Sequence, residues 1–64
     1  MTLNEMQVLQ KQNLYKLMVI EKRNSGIKIH GLGSLIRETK SGMSKEDIAY
    51  VKELVDEEIA EEMK

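Results

Sequence analysis

Along the last third of the chain, Ile48, Val51, Val55, Ile59 and Met63 recur at spacings of three and four. On an α-helix that spacing gathers them into one stripe. Glu46, Glu53, Glu57 and Glu61 fall on the opposite side, so a helix over about 44–63 is expected to be apolar on one face and acidic on the other. Ser44 followed by Asp47 three residues later makes a capping-box-like start, with the carboxylate near the positive end of the helix.

The chain begins in a similar way. Thr2 and Glu5 form a second box, and a helix is expected over about 3–23. Leu3, Met6, Leu9, Leu17 and Ile20 share one side of it, interrupted by Asn13. Over Leu14–Ile20 the sequence is LYKLMVI, apolar on nearly every side except at Lys16. A helix that is apolar all round is buried all round, and one partner helix does not cover it. Leu14, Tyr15, Met18 and Val19 lie partly off the main stripe and are therefore expected to form a self-association or partner interface, unless the third segment covers them. Asn13 on the apolar side suits a register-fixing role between paired helices. Lys22 and Arg23 complement the negative end of the helix, and Asn24-Ser25-Gly26 stops it, with Gly26 able to take positive φ.

Between the long helices, Ile27-Lys28-Ile29-His30 alternates apolar and polar as a short strand does. With no second strand in the chain, an extended connector is expected; pairing across a dimer axis is the alternative. Ser34 is the expected N-cap of a short helix over about 34–41, which turns Leu35, Ile36 and Thr39 inward after Leu32. Lys40-Ser41-Gly42 ends it, and Met43 is placed to act as a staple before the last helix. The pattern thus predicts an all-α fold: a single small helical domain over 1–64, with a connector at about 24–33. Its two long amphipathic helices are expected to pack antiparallel with the short helix between them, Met6, Leu9, Leu17 and Ile20 facing Ile48, Val51, Val55 and Ile59.

Size sharpens the question of what covers the surplus apolar surface. A chain of 64 residues buries only about 60% of the surface its unfolded form exposes. No cysteine is present to staple it or to hold zinc. Oligomerisation is one remedy, so a homodimer is expected. The net charge of −1 is unevenly spread. Residues 1–32 carry five basic against two acidic side chains, and residues 33–64 carry five against nine. No apolar run approaches the ~18 residues of a membrane span and no signal peptide is evident, so a cytoplasmic protein is expected.

Candidate chemistry is sparse. His30 is the only side chain with an ordinary pKa near neutrality, and no motif pairs it with a nucleophile. Gly31-Leu32-Gly33-Ser34 leads into a helix but lacks the lysine and spacing of a phosphate-binding loop. The carboxylates Asp56, Glu57, Glu58, Glu61 and Glu62 lack calcium-loop spacing. No enzyme, cofactor or metal site is expected.

Leu32–Ala49 locally resembles the opening two helices of Cro/repressor-type helix-turn-helix domains, through Ile36-Arg37-Glu38, Gly42 and Ser44-x-Glu46-Asp47-Ile48-Ala49. The resemblance implies a recognition helix after Ala49. The chain instead runs on as YVKELVDEEIAEE, acidic where a groove-reading helix is polar and basic. No DNA-contacting residue is carried over.

The function these features favour is that of a non-catalytic protein-protein interaction module, a small regulator or inhibitor of the size and composition of phage or bacterial accessory proteins. Glu46, Glu53, Glu57 and Glu61 are its expected acidic partner-facing surface. The alternative is a small nucleic-acid-binding regulator using the basic patch Lys11, Lys16, Lys22, Arg23 and Lys28.

Overall fold

A computed structural model describes residues 2–25 and 27–63. It contains three helices, α1 (Leu3–Arg23), α2 (Leu32–Ser41) and α3 (Lys45–Glu62), and no strand among the described residues. The long helices begin where their caps predict. Thr2 Oγ1 accepts from the Glu5 amide at 3.2 Å, and Ser44 Oγ accepts from the Asp47 amide at 3.2 Å. Each hydroxyl satisfies one of the donors a helix leaves open at its first turn.

At its C-terminus α1 is closed twice over by Asn24. Both the Asn24 backbone N–H (3.1 Å) and its side-chain amide (2.8 Å) donate to the Ile20 carbonyl. Gly26, expected to supply the turn, lies outside the described residues. Ile27 and Ile29 are exposed in the connector, which is bounded by turns: the Ile27 amide donates to the Asn24 carbonyl at 2.9 Å and the Leu32 amide to the Ile29 carbonyl at 3.3 Å.

α2 starts two residues earlier than the sequence pattern predicts. Its N-cap is Gly31 at φ 83°, a left-handed conformation that costs an L-side chain about 1–2 kcal/mol. The backbone at Gly31, rather than the Ser34 hydroxyl, makes the turn. Starting at Leu32 rotates the inward face to Leu32 and Ile36, four residues apart, with Thr39 half-buried. Leu35 is 52% exposed, not inward as its spacing suggested.

The direction of α3 is the larger correction. Lys11, midway along α1, pairs with Asp47 in the first turn of α3 (3.6 Å), while Arg23 at the end of α1 pairs with Glu62 at the end of α3. The two long helices therefore run parallel. α2 is what reverses the chain: its C-terminal Gly42 comes against the Gln10 side chain, so α2 runs back along α1 before α3 turns forward again. An antiparallel pair would require α2 to be a mere link. At ten residues it is about 15 Å long, enough to be a layer of its own.

Leu14, Met18 and Val19 of α1, Leu32 and Ile36 of α2, and Val51 and Val55 of α3 form the buried core. Tyr15, Leu17, Met43, Ile48 and Ile59 pack around it. α1 is the hub. Both other helices pack on it and touch each other only marginally.

The face of α1 that does this work is not the expected one. Leu9 is 43% exposed and Met6, Ile20 and Leu3 are also open to solvent, whereas Leu14 is completely buried. Leu14, Met18 and Val19, expected at an interface, are occupied inside the molecule. Leu14 shares one cluster with Leu32 and Ile36 of α2 and Val51 and Val55 of α3, so its side of α1 is the one buried. Met63, at the far end of the α3 stripe, is exposed as well.

α1 also overhangs its partners. Gln10 meets the end of α2, and Val8 and Lys11 meet the start of α3, so the opening of the helix, Leu3–Gln7, projects beyond both. The radius of gyration, 12.3 Å, exceeds the roughly 10.7 Å of a compact chain of this length accordingly.

Candidate functional site

The parallel arrangement leaves a cleft between α1 and α3. On α1, Val8, Lys11, Gln12, Tyr15 and Lys16 line one wall; on α3, Asp47, Tyr50, Val51 and Leu54 line the other. Val8, Gln12 and Tyr15 follow an i, i+4, i+7 row, as Asp47, Tyr50 and Leu54 follow i, i+3, i+7, so each wall is one helix face. The cleft has a volume of 670 Å³. Its floor is apolar: Val51 is buried and Leu54 half-buried, with Tyr15 leaning against the core.

A smaller hollow of 240 Å³ continues the cleft past Tyr15 and Leu54 to Glu57, Glu58 and Glu61. From Asp47 to Glu61 the whole furrow is about 21 Å long, at 1.5 Å per helical residue.

Its charges are graded. At the α3 N-terminal end, the Lys11 ammonium bridges to Asp47 and sits 5.7 Å from the centre of the Tyr50 ring. That position satisfies a cation–π contact as well as an ion pair. Lys16 stands exposed on the same rim. At the other end the rim is acidic. Below it Arg23 clamps the helix termini together, its Nε donating to a Glu62 carboxylate oxygen at 2.8 Å and its Nη2 meeting the same carboxylate. Arg23 Nη2 also lies 3.9 Å from Glu58. The hydrogen bond from Arg23 holds the Glu62 carboxyl below its ordinary pKa and raises the guanidinium's.

These contacts redistribute the expected charged sites. Of the basic patch, Lys11 and Arg23 are held in ion pairs with α3, and Lys16, Lys22 and Lys28 stand exposed. The five do not form a single open cationic surface. Glu46, Glu53, Glu57 and Glu61 are all exposed on α3, with Glu57 and Glu61 reaching the furrow. Of the four interface residues, Tyr15 alone borders a cleft; Leu14, Met18 and Val19 belong to the core. Val8, Tyr50 and Leu54 went unnoticed in the sequence, although the i, i+3, i+7 row from Asp47 to Leu54 was visible there.

His30 is exposed in the connector, in a concavity that also contains Lys28, Ser34 and Arg37. Among the described residues no three metal-ligating side chains converge. No described helix is long and apolar enough to cross a membrane. Comparison with protein-family models, curated proteins and solved structures gives no match.

Proposed function

We propose that the chain is a non-catalytic protein-interaction module that regulates or inhibits a partner protein by taking an amphipathic helix of it into the α1–α3 cleft. The observation that carries this reading is the cleft itself: a furrow about 21 Å long between two parallel helices, apolar-floored from Asp47 to Leu54 and acidic beyond. Such a furrow matches about 14 residues of helix, and filling it adds a fourth helix to the bundle. Helix-in-groove docking places anchors at i, i+3, i+4 and i+7 on apolar walls and leaves charges at the rim.

The rim specifies the chemistry of the occupant. Glu57, Glu58 and Glu61 call for basic side chains at one end of the incoming helix. Lys16, next to Tyr15, calls for an acidic one near the middle of that helix. Long-range attraction of this kind raises the association rate and selects orientation more than it adds affinity. Tyr15 and Tyr50 are the aromatic anchors, the residue type that most often dominates such contacts.

The test is affinity capture from the source cell with wild-type and Tyr50→Lys bait, half of each sample treated with nuclease. Tyr50 is 55% exposed, so the substitution leaves the core alone. A protein captured in one-to-one ratio, retained after nuclease and lost with Tyr50→Lys, is the expected result. Recovery of nucleic acid alone, or equal capture by both baits, overturns the reading.

A further inference from the structure

The cleft does not account for the other open face of α1. Leu3, Met6, Leu9 and Ile20 are 70%, 47%, 43% and 42% exposed, and with half-buried Leu17 they form one stripe running the length of the helix. Two amides interrupt it, half-buried Gln10 and exposed Asn13. In heptad terms Leu3, Gln10 and Leu17 take one seam position and Met6, Asn13 and Ile20 the other, an a/d pattern three repeats long. Stripes of this form are a helix-pairing surface; α2 borders this one at Gln10 and the core at Leu17, and Leu3, Met6, Leu9, Asn13 and Ile20 are left open. We infer that a second copy of the chain covers it, α1 packing antiparallel on α1 about a two-fold axis.

The pattern of the stripe is self-complementary in that direction. Let residue i of one copy face residue 23 − i of the other. Leu3 then meets Ile20, Met6 meets Leu17, and Gln10 meets Asn13. The four apolar seam positions Leu3, Met6, Leu17 and Ile20 pair with one another, and Leu9 stands at the margin of the contact, since its counterpart Leu14 is buried in the core. The two polar positions find each other beside the axis, where their side-chain amides hydrogen-bond across it. An isologous contact requires this reciprocity, and paired amides at a seam fix register at some cost in affinity.

Charge decides between antiparallel and parallel pairing. Glu5 and Lys16 lie on the same flank of the stripe, 20° apart around the helix at 100° per residue. In the antiparallel register Glu5 of one copy stands about 3 Å along the axis from the level of Lys16 of the other, within reach of both side chains. Two such pairs form, one on each side of the axis. A parallel, in-register pairing puts the Glu5–Lys16 flanks of the two copies on opposite sides of the seam, so neither attraction forms. Opposite charges flanking the seam are the usual determinant of helix orientation.

The overhang fits the same geometry. Leu3–Gln7 project past α2 and α3 of their own copy. In the antiparallel pair they lie beside the half of the partner's α1 that carries α2, so each protruding end gains a neighbour. The cleft of the proposed function lies on the adjoining face and shares only Lys16 at its edge. Self-association and partner capture are therefore separable.

Sedimentation equilibrium from low micromolar to millimolar protein tests the inference. The wild type is expected to be a reversible dimer, and Met6→Glu and Ile20→Glu are expected to be monomers with unchanged helical circular dichroism, since both residues are already open to solvent. Glu5→Lys and Lys16→Glu each turn two attractions into repulsions and should weaken the homodimer about fivefold or more, exposed pairs being individually weak. Mixing those two variants restores opposite charges at both contacts, so the heterodimer should form in preference to either homodimer. A wild type that stays monomeric, a dimer indifferent to Met6→Glu and Ile20→Glu, or single charge variants that fail to complement each other would overturn it.

Discussion

Two leucines on α1, Leu14 and Leu9, carry the same side chain into different surroundings, and truncating each in turn tests which face of the helix holds the molecule together. Leu14 is 0% exposed and Leu9 43%. Leu14→Ala removes a fully buried side chain at the point where α2 and α3 meet α1, which costs about 3–4 kcal/mol in lost transfer energy and residual cavity. Leu9→Ala gives up partial burial and leaves no enclosed cavity, so about 1 kcal/mol is expected. The contrast is large against the whole. A domain of this length has about 3–10 kcal/mol of total stability. At roughly 4–8 °C per kcal/mol, Leu14→Ala should lower the melting temperature by about 12–32 °C and Leu9→Ala by no more than about 8 °C. The assay is a circular dichroism melt at 222 nm, run dilute so that self-association does not contribute. Equal losses, or a greater loss for Leu9, would place the outer stripe in the core and refute the parallel packing.

Gly31→Ala and Gly33→Ala should move stability in opposite directions. Neither added Cβ meets an atom within 4 Å, so only the backbone decides. At Gly31, with φ 83°, alanine should cost about 1–2 kcal/mol; at Gly33, inside α2, it should add about 0.5–1 kcal/mol. Urea midpoints measure both, and a neutral Gly33→Ala would return the helix start to Ser34. Glu62 provides a pH test. Its carboxyl is held below its ordinary pKa by Arg23, so it is more acidic in the folded than in the unfolded chain. Its contribution is therefore full above the unfolded value and disappears as the pH falls through the folded one. Melts of wild type and Glu62→Gln should differ by a small, salt-sensitive amount at neutral pH and converge in acid; a gap that persists below the carboxylate range would assign the effect to something other than the ion pair.

The two capping hydroxyls and the spacing on α3 made both long helices legible from sequence. Thr2 and Ser44 cap where T-x-x-E and S-x-x-D predict, and Val51 and Val55 are buried as their stripe requires. The orientation of α1 was not legible because LYKLMVI offers apolar side chains in almost every direction. Periodicity gathers Leu3, Met6, Leu9, Leu17 and Ile20 into one stripe. It does not say which of two apolar sides meets the rest of the chain. That depends on the path of α2, and the path depends on a backbone turn at Gly31 that a search for capping side chains passes over. The cleft was hidden for the same reason: its walls come from α1 and α3 side by side, and antiparallel packing would have set different residues opposite Tyr15.

Because α2 and α3 both rest on α1 and scarcely on each other, the molecule has a hinge-like hierarchy of opening. α3 is joined to the rest by a short link at Gly42–Ser44, and its contacts are mainly with α1. Detaching it leaves the α1–α2 hairpin in place, with Leu14 newly exposed on one side. The amides of α3 therefore exchange through a partial opening as well as through global unfolding, and a ligand in the cleft, bound to both α1 and α3, slows that route by holding its two sides together. Any helix that fills the furrow thereby becomes a clasp on the fold, and occupancy registers as slowed exchange along α3.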